Sequence, residues 1–411
     1  MELRPGYKMT EAGVIPEDWE SRPLSSIGRF KNGINKGSEA FGHGSPFVNL
    51  MDVFGVNSIK SCQGLGLVKT SEAEQETYDL KRGDVLFIRS SVKPSGVGLT
   101  AVVEVDLPKT VYSGFLIRFR DNNALDISYK KHCFYSEKFR NNLIAASTVS
   151  ANTNINQDNL KKLFIALPPT IAEQRAIAQA LSDVDASLAA LDQMITKKRD
   201  LKQAAMQQLL TGMTRLPGFS GKWTVRLVKD FGEIVTGGTP STENKEFWGE
   251  GYPWITPTDI STERDMITSE RTITNEGLRV VRSLPANTVL VTCIASIGKN
   301  AILRSVGGCN QQINAIIPND DHCAEFLYFL MEANKQYLLS NAGTTATAIL
   351  SKAAFSEMEF LAPAKPEQTA IAAVLSGIDE ELTALESRRD KTRNIKQAMM
   401  QELLMGKTRL V

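Results

Sequence analysis

Cysteine and histidine are scarce in this chain of 411 residues, which has five of the first and three of the second. The cysteines are scattered and form no C-x-x-C pair, which argues against a disulfide framework and fits a reducing compartment. His132-Cys133 and His322-Cys323 resemble paired metal ligands, but a structural zinc site needs four convergent ligands, and only His43 remains to join them. We therefore expect no metal site in this chain.

Long apolar runs and an excess of positive charge are also lacking. No run reaches 18 apolar residues, and the polar, proline-broken N-terminus does not resemble a secretory signal, so we expect a cytoplasmic protein without a membrane span. Lys and Arg number 47 against 46 Asp and Glu, a net charge of +1. A protein that grips DNA alone is usually basic, because phosphate neutralisation supplies much of the affinity. If this chain binds nucleic acid, we expect it to share the work with a partner.

Catalytic motifs with a defined spacing are absent from the sequence. Gly406-Lys407-Thr408 lacks the first glycine of a phosphate-binding loop and follows a predicted helix instead of opening one. No F-x-G-x-G or N/D-P-P-Y/F motif of an adenine methyltransferase occurs. We therefore expect no catalytic residues in this chain. The pattern of a nuclease metal site is too weak to exclude, so a cryptic nuclease stays an alternative.

An internal repeat dominates what is present. Residues 167–216 align without a gap with residues 361–410, and 26 of the 50 positions are identical, where chance gives about three. Two copies are too few for a solenoid, which needs at least three stacked units. The repeat therefore indicates duplication of one element within the chain.

Each copy of the repeat predicts one long helix, over 171–211 and 367–405. Thr170 with Glu173 forms a plausible capping box, Pro366 suits a first turn, and Gly212 and Gly406 supply the stops. The first helix would be roughly 60 Å long. Apolar residues recur at steps of four and three, which is the seam of a coiled coil. The seam consists of Ile177, Leu181, Val184, Leu188 and Leu191 in the first copy and Ile371, Leu375, Ile378, Leu382 and Leu385 in the second.

The seam needs a partner, and the nearest one is the other copy, so we predict an intramolecular antiparallel coiled coil. The alternative is that both helices only pack on globular domains. The globular segments repeat more faintly, since the tryptophan, arginine and glycines at 19, 22, 28 and 33 recur at 223, 226, 232 and 237. The segment before Trp19 also echoes the one before Trp223, as though the chain end ran on into its beginning. This predicts a circular, pseudo-twofold arrangement.

Short apolar runs separated by Gly, Ser, Thr and Asn clusters indicate that both globular segments are α+β. The predicted order is a globular domain at 1–165, with residues 1–18 completing the ring, a helical region at 166–216, a second globular domain at 217–360 and a distal helical region at 361–411. The loops are rich in uncharged hydrogen-bonding residues. Asn and Gln can read adenine in the major groove, Arg and Lys read guanine, and glycine-rich turns can hold phosphates. Each such loop alone is more often only a turn.

The sequence resembles the specificity (S) subunits of type I restriction-modification systems along its whole length. The resemblance is carried by P-x-x-x-E-Q-x-A-I-A at Pro169 and Pro363, by K-Q-A, L-L-x-G and T-R-L after each, and by GGTPST, FWGEGYPWITPTDI, VLVTCIASIGKNAIL and NQQINAIIP. The first domain has NGINKGSEAFGHGSPFVNL where GGTPST would be expected, which leaves its half-site undefined.

The resemblance implies two target recognition domains, each binding one half of a bipartite asymmetric site in double-stranded DNA, with helices that space the domains and dock two methyltransferase (M) subunits. It implies no cofactor in this chain, since S-adenosylmethionine, ATP and magnesium would belong to the M subunits and to restriction (R) subunits. An assembly protein whose domains bind other proteins stays an alternative. The expected DNA-binding residues are Asn32, Asn35, Lys36, Arg89, Ser90, Ser91 and Lys93 in the first domain and Asn244, Lys245, Thr256, Thr258, Ser296, Lys299, Gln311, Gln312, Thr344 and Thr345 in the second.

Overall fold

The computed structural model describes residues 5–261, 263–344 and 347–410. The chain divides into two compact units. Unit 1 contains Met1–Leu191 with Arg388–Val411, and unit 2 contains Asp192–Ser387. Each predicted long helix therefore gives one part of its length to each unit. The linear boundaries at 165, 216 and 360 stay predictions about domains along the chain.

Unit 1 is built from short strands and helices. Its strands are β1 Tyr7–Thr10, β2 Gly13–Pro16, β3 Glu20–Pro23, β4 Gly28–Asn32, β5 Phe41–Val48, β6 Ser58–Ile59, β7 Gly66–Val68, β8 Val85–Ile88, β9 Ser90–Ser91, β10 Thr100–Val103, β11 Val111–Tyr112, β12 Leu116–Asp121, β13 Thr148–Val149, β14 Thr153–Asn154 and β15 Phe164–Leu167. Its helices are α1 Leu24–Ile27, α2 Glu72–Thr77, α3 Ile127–Cys133, α4 Glu137–Ala145, α5 Gln157–Lys161 and the first part of α6 Ile171–Leu209.

Unit 2 repeats this plan. Its strands are β16 Thr224–Leu227, β17 Gly232–Thr236, β18 Trp248–Ile255, β19 Asp265–Met266, β20 Thr272–Ile273, β21 Thr288–Thr292, β22 Asn300–Leu303, β23 Gly308–Cys309, β24 Ile313–Pro318, β25 Gly343–Thr344, β26 Ala348–Ile349 and β27 Glu359–Ala362. Its helices are α7 Asn275–Val280, α8 Ala324–Ala333, α9 Lys335–Ser340, α10 Lys352–Ser356 and most of α11 Lys365–Leu403.

The two units share one sheet topology. The five-stranded sheet has the order β4-β12-β8-β10-β6 in unit 1 and β17-β24-β21-β22-β19 in unit 2. The three-stranded sheets, β11-β5-β7 and β23-β18-β20, match as well, including a register shift at the same place in β5 and β18. Strands β8 and β21 are the middle strands of these sheets, and they correspond at the offset of 204 that also relates Trp19 to Trp223. Both strands are buried along their whole length, which explains why they read as continuous apolar runs.

Both long helices are present close to their predicted limits. The backbone N–H of Glu173 donates to Thr170 Oγ1 over 3.1 Å, which confirms Thr170 as the N-cap of α6. Gly212 and Gly406 follow the C-terminal ends with φ of +71° and +64°, the left-handed conformation that terminates helices. Among the described residues, no helix combines the length and apolarity that a bilayer span requires.

The end of the chain lies against its beginning within unit 1. The hydroxyl of Tyr7 donates to the carbonyl of Gly406 over 3.2 Å, and a Cβ on Gly406 would lie 2.7 Å from the ring of Pro16. Leu403 and Leu404 belong to the same buried core as Ile15. The prediction that the chain returns to its starting point is therefore confirmed by direct contacts.

Candidate nucleic-acid interface

The glycine-rich loop after β17 is held directly beside Gln311. The N–H of Gly238 donates to the carbonyl of Cys309 over 2.8 Å, and Thr239 Oγ1 donates to Gln311 Oε1 over 2.6 Å. A Cβ on Gly237 would lie 2.2 Å from the carbonyl oxygen of Asn310, so only glycine permits this approach. The structure thus joins the GGTPST loop and the NQQIN turn into one exposed polar surface.

Thr256 and Thr258 border this surface from the end of β18. The N–H of Asn310 donates to the carbonyl of Ile255 over 2.9 Å, which fixes the start of the Thr256 turn beside the NQQIN turn. Thr256 Oγ1 donates to the carboxylate of Asp259 over 2.6 Å, so this hydroxyl is engaged within its own turn. Thr258 is exposed.

Ser296 and Lys299 lie in the next loop, between β21 and β22. The N–H of Cys293 donates to the carbonyl of Gln312 over 2.8 Å, which connects this loop to the NQQIN turn. Lys299 is exposed, and its N–H donates to Thr292 Oγ1 over 3.0 Å. The β25–β26 hairpin follows, since Ala348 accepts a hydrogen bond from the N–H of Ala295. The backbone of Thr344 pairs within that hairpin, and Thr345 lies outside the described residues.

Asn244 and Lys245 belong to the loop that leads into β18. Asn244 Oδ1 accepts from the N–H of Glu246 over 3.0 Å, so this amide caps a helical turn, while Lys245 is exposed. The indole N–H of Trp248 donates to the carbonyl of Ser241 over 3.0 Å and anchors the loop from behind. Of the two predicted residues, Lys245 has the side chain that is free to reach a ligand.

In unit 1 the equivalent loops carry the first set of predicted residues. Asn32 is the last residue of β4. Asn35 packs directly on Gly114, since a Cβ added to Gly114 would lie 1.9 Å from the side-chain amide oxygen of Asn35. Lys36 Nζ forms an ion pair of 2.6 Å with the carboxylate of Glu74. The hydrogen bond from Lys36 is the main cause that lowers the pKa of Glu74. The charge of Lys36 is therefore already compensated within the protein.

Ser90 and Ser91 form β9, the edge strand of a small sheet in unit 1, and Arg89 and Lys93 lie on either side of it along the chain. Strand β9 pairs with β14 of the β13–β14 hairpin, which corresponds to the contact between residue 294 and β26 in unit 2. Arg89 contacts the carbonyl of Gly114 with its guanidinium over 3.5 Å, and Lys93 is exposed. The structure therefore brings this set beside Asn35 and Gly114.

Hydrogen bonds identify which residues of the two units correspond. The N–H of Arg89 donates to the carbonyl of Phe115 over 2.8 Å, as Cys293 does to Gln312. Phe115 thus occupies the place of Gln312, and its side chain is 57% exposed. The sequence did not point to Phe115, because an aromatic residue next to an apolar strand is usually predicted to lie in the hydrophobic core. The two units present different chemistry at the same place on one scaffold.

Arg271 is a second residue that sequence reasoning missed. Its guanidinium carbon lies 3.6 Å from the ring centre of Trp248 and 5.2 Å from that of Trp254. The indole N–H of Trp254 donates to the carbonyl of Gly238 over 2.9 Å, so this stack supports the GGTPST loop. Arg271 directly precedes β20, and the register between β18 and β20 places it on the two tryptophans.

The seam residues of both helices are turned inward. Ile177 and Leu181 share the core of unit 1 with Leu403 and Leu404. In unit 2, the seam and the opposing helix end share a core that contains Leu209, Leu210, Ile371 and Leu375. All ten predicted seam residues are buried or half-buried. The seam therefore fills the protein's own interior, and a partner would have to dock on other faces of the helices.

Ion pairs between the helices repeat with the same offset of 194. Lys202 Nζ lies 2.6 Å from a carboxylate oxygen of Asp379 in unit 2, and Lys396 Nζ lies 2.5 Å from one of Asp185 in unit 1. Positions 202 and 396 are equivalent in the repeat, as are 185 and 379. In unit 2, Lys198 pairs with Glu381 as Lys202 does with Asp379, and in unit 1 Ile177 shares a core with Leu403 while Asp185 pairs with Lys396. Residue numbers therefore fall along α11 as they rise along α6, which confirms the predicted antiparallel direction within each unit.

Each unit also contains an Arg–Glu–Trp cluster made from both copies of the repeat. Arg215 donates two hydrogen bonds, of 2.5 and 2.6 Å, to Glu367, and it lies 5.8 Å from the ring of Trp223. In unit 1, Arg409 binds Glu173 in the same bidentate way and lies 6.0 Å from the ring of Trp19. The T-R-L motif of each copy therefore binds the E-Q motif of the other.

A cavity of about 770 Å³ in unit 1 is lined mainly by charged side chains. Several of these charges form ion pairs. Lys130 Nζ lies 2.5 Å from Asp121 and Lys131 Nζ lies 2.6 Å from Glu104. Within the described ranges, no group of three His, Cys, Asp or Glu residues could hold a metal ion.

The structure defines a duplicated α+β protein in which the main sheets of both units have the same strand order, the equivalent loops carry unlike side chains, and α6 pairs with α11 within each unit. The chain belongs to the type I restriction modification DNA specificity domain family, whose model matches residues 16–199 and 220–393.

Individual relatives support this family. The type I restriction enzyme MjaIX specificity subunit of Methanocaldococcus jannaschii is 37% identical over 164 residues, 38% of this chain and 38% of that protein. The chain thus spans well under half the length of this relative. The putative MjaX specificity subunit of the same organism is 26% identical over 424 residues, 98% of this chain and 97% of that protein. The crystal structure of an S subunit from M. genitalium has the same fold, with a TM-score of 0.57, 14% identity and 98% coverage of both chains.

Proposed function

We propose that this chain is the DNA sequence-specificity subunit of a type I restriction-modification complex. The domain at 1–165 binds one half of a bipartite asymmetric site in double-stranded DNA, and the domain at 217–360 binds the other. One observation supports the proposal: two units whose main sheets have the same strand order expose unlike polar and aromatic side chains at equivalent loops. Loops on a common rigid scaffold are where recognition residues are usually placed.

The proposed base contacts come from exposed side chains that keep donor groups for DNA, including Gln311, whose amide oxygen alone is engaged, by Thr239. Gln311 and Lys299 in unit 2 and Lys93 in unit 1 are exposed, so they can reach base edges or phosphates. Thr256 and Lys36 are bound to carboxylates of their own units, so we assign them to holding their loops. Asn244 is likewise a capping residue.

Two M subunits dock on the outer faces of the helices in this proposal. Leu201 and Ile395 occupy equivalent positions of the repeat, and their side chains are 52% and 55% exposed. A large apolar side chain exposed at the same place in both copies fits two like partners, one on each unit. R subunits join the assembly through the M subunits, and S-adenosylmethionine, ATP and magnesium belong to those partners. The complex works in the cytoplasm, where the host DNA lies.

The chain itself is proposed to be non-catalytic. Burial raises the pKa of Cys293 to about 11 and that of Cys309 to about 12, so neither thiol forms a nucleophilic thiolate near neutral pH. In the charged cavity of unit 1, Lys130 and Lys131 are paired with Asp121 and Glu104. Purified chain incubated with magnesium and DNA should leave the DNA intact, whereas cleavage would favour a cryptic nuclease.

Methylation mapping tests the DNA-reading role. The chain is co-expressed with an M subunit encoded beside its gene, and methylated adenines in the host DNA are sequenced. We expect one bipartite motif, and we expect Gln311→Ala to relax one position in one half only, by about 1–3 kcal/mol in binding free energy. Loop substitutions in either domain that alter neither half would contradict the proposal. A chain that only assembles other proteins would produce no motif.

Native mass spectrometry tests the docking sites. Leu201→Glu and Ile395→Glu should each reduce the M subunits bound per chain from two to one, and the double variant should bind none. Met213 is 82% exposed and lies outside both helices, so Met213→Glu is the matched control and should keep both M subunits. Two M subunits bound to the double variant would exclude these sites.

A further inference from the structure

Arg271 lies at the exposed edge of the GGTPST loop of unit 2. Its guanidinium stacks on Trp248 at 3.6 Å, and both tryptophans of this stack are fixed, since their indole N–H groups donate to carbonyls of Ser241 and Gly238. Gly238 is followed by Thr239, which donates to Gln311. A chain of direct contacts therefore connects Arg271 to the proposed base-reading surface.

The charge of Arg271 has no carboxylate partner among the described residues, and its guanidinium makes no hydrogen bond there. The nearby carboxylate of Asp259 instead accepts from Thr256 and from the N–H of Glu270. By contrast, Lys36 in unit 1 is compensated by Glu74. Arg271 is thus a planar cation that is held in one orientation and whose N–H groups can donate to a ligand.

Unit 1 shows that the fold does not require this arginine. Phe41 and Phe47 form an edge-to-face pair at 5.5 Å, in the same strand positions as Trp248 and Trp254, which are 5.0 Å apart. In the three-stranded sheet of unit 1, the residue opposite Phe47 is Gly66. The equivalent of Gly66 is Arg271, whose carbonyl accepts from the N–H of Trp254. The same hairpin and aromatic pair therefore form in unit 1 without a cation.

We propose that Arg271 is a specificity-determining residue that reads a guanine in the half-site bound by the second domain. The proposal rests on the DNA-reading function proposed above. A guanidinium presents two parallel N–H donors that match O6 and N7 of guanine in the major groove. Stacking on Trp248 fixes the plane of these donors before DNA arrives, so little rotamer freedom is lost on binding.

The test uses the complex of this chain with its M subunit and a duplex that carries the motif found by methylation mapping. Each guanine is replaced in turn by 7-deazaguanine, which lacks only the N7 acceptor, and affinities are measured by fluorescence anisotropy. For the wild-type complex we expect one guanine whose replacement weakens binding about tenfold. Arg271→Ala should bind unmodified DNA about tenfold more weakly and should be insensitive to that replacement.

Two further variants separate base reading from charge alone. Arg271→Lys keeps the charge but loses the paired donors, so it should lose discrimination at the same guanine. Arg226→Ala removes an exposed cation from β16, away from the stack, and should discriminate as the wild type does. Circular dichroism confirms folding of each variant.

The proposal would be overturned if no guanine responded to the replacement, or if Arg271→Lys discriminated fully. It would also be overturned if Arg271→Ala weakened binding to all sequences alike with a smaller salt dependence, since that is the behaviour of a phosphate contact. A wild-type complex that prefers no bipartite sequence would instead refute the proposed function itself.

Discussion

Removing Arg409 should destabilise unit 1 by leaving a buried carboxylate without its partner. Glu173 is 1% exposed, and Arg409 binds both of its carboxylate oxygens, one of them over 2.9 Å. Breaking a fully buried pair by removing one partner typically costs about 3–5 kcal/mol. Two features reduce this cost. Arg409 is 35% exposed, so water can approach, and Glu173 lies in the first turn of α6, where the helix dipole favours a negative charge.

We therefore expect Arg409→Ala to lower the free energy of unfolding of unit 1 by about 2–3 kcal/mol. For a unit of this size, that corresponds to a fall in Tm of roughly 4–12 °C. Urea denaturation and calorimetry measure the two quantities. Arg393→Ala is the matched control, because Arg393 forms an exposed pair with Asp390 on one helix, and we expect a change of at most about 0.5 kcal/mol.

A double-mutant cycle identifies the cause. If the unpaired charge is responsible, adding Glu173→Gln to Arg409→Ala should restore at least half of the lost stability, since the neutral amide costs less to bury. If the double variant is no more stable than Arg409→Ala, the reasoning from buried charge is refuted, and lost packing against Trp19 would explain the effect. Arg215→Ala should destabilise unit 2 instead of unit 1, through Glu367.

Three other results are expected from buried groups of unit 1. Burial lowers the pKa of His132 to about 4, so the contribution of this residue to the free energy of unfolding is present above about pH 6.5 and is lost as the pH falls towards 4, by about 3 kcal/mol in all. Between pH 7 and pH 4.5, His132→Gln should therefore lose less stability than the wild type in urea unfolding. Lys130→Met leaves the carboxylate of Asp121 buried without its ion-pair partner, since both side chains are 4% exposed. The free energy of unfolding measured in urea should fall by about 3–5 kcal/mol, and adding Asp121→Asn should partly restore it. Iodoacetamide should label Cys62, which is exposed, and leave Cys133 unmodified in the native protein, as mass spectrometry can show; labelling of Cys133 would contradict its burial.

Features of the fold that depend on local pattern could be predicted from the sequence. The two helices follow from the spacing of Ile177 and Leu181 and their equivalents, because a helix repeats its exposure every 3.6 residues. The buried strands β8 and β21 follow from continuous apolar runs. The contact between the segment after α11 and Tyr7 could be predicted from the sequence similarity of the two segments that precede Trp19 and Trp223.

The remaining features depend on which residues meet across long distances, and single-sequence pattern carries little of that information. Arg271 reaches Trp248 only through the register between β18 and β20, and Arg215 meets Glu367 across 152 positions. The sequence predicted Lys36 to be a cation available for DNA, because nothing in its own loop shows that it forms an ion pair with Glu74. Polar loop residues were found by composition, but composition could not separate Gln311, which is exposed, from Asn244, which caps a turn.

The division of the repeat between the units has a consequence for protein synthesis. Unit 2 is one continuous stretch of chain, whereas unit 1 also needs Arg388–Val411, which are synthesised after all of unit 2. Leu403 and Leu404 are part of the core that contains Ile177 and Leu181, so that core is incomplete until residues 403 and 404 have been synthesised. Domains commonly fold in the order in which they are synthesised. Here unit 1 cannot be completed before unit 2 has been synthesised.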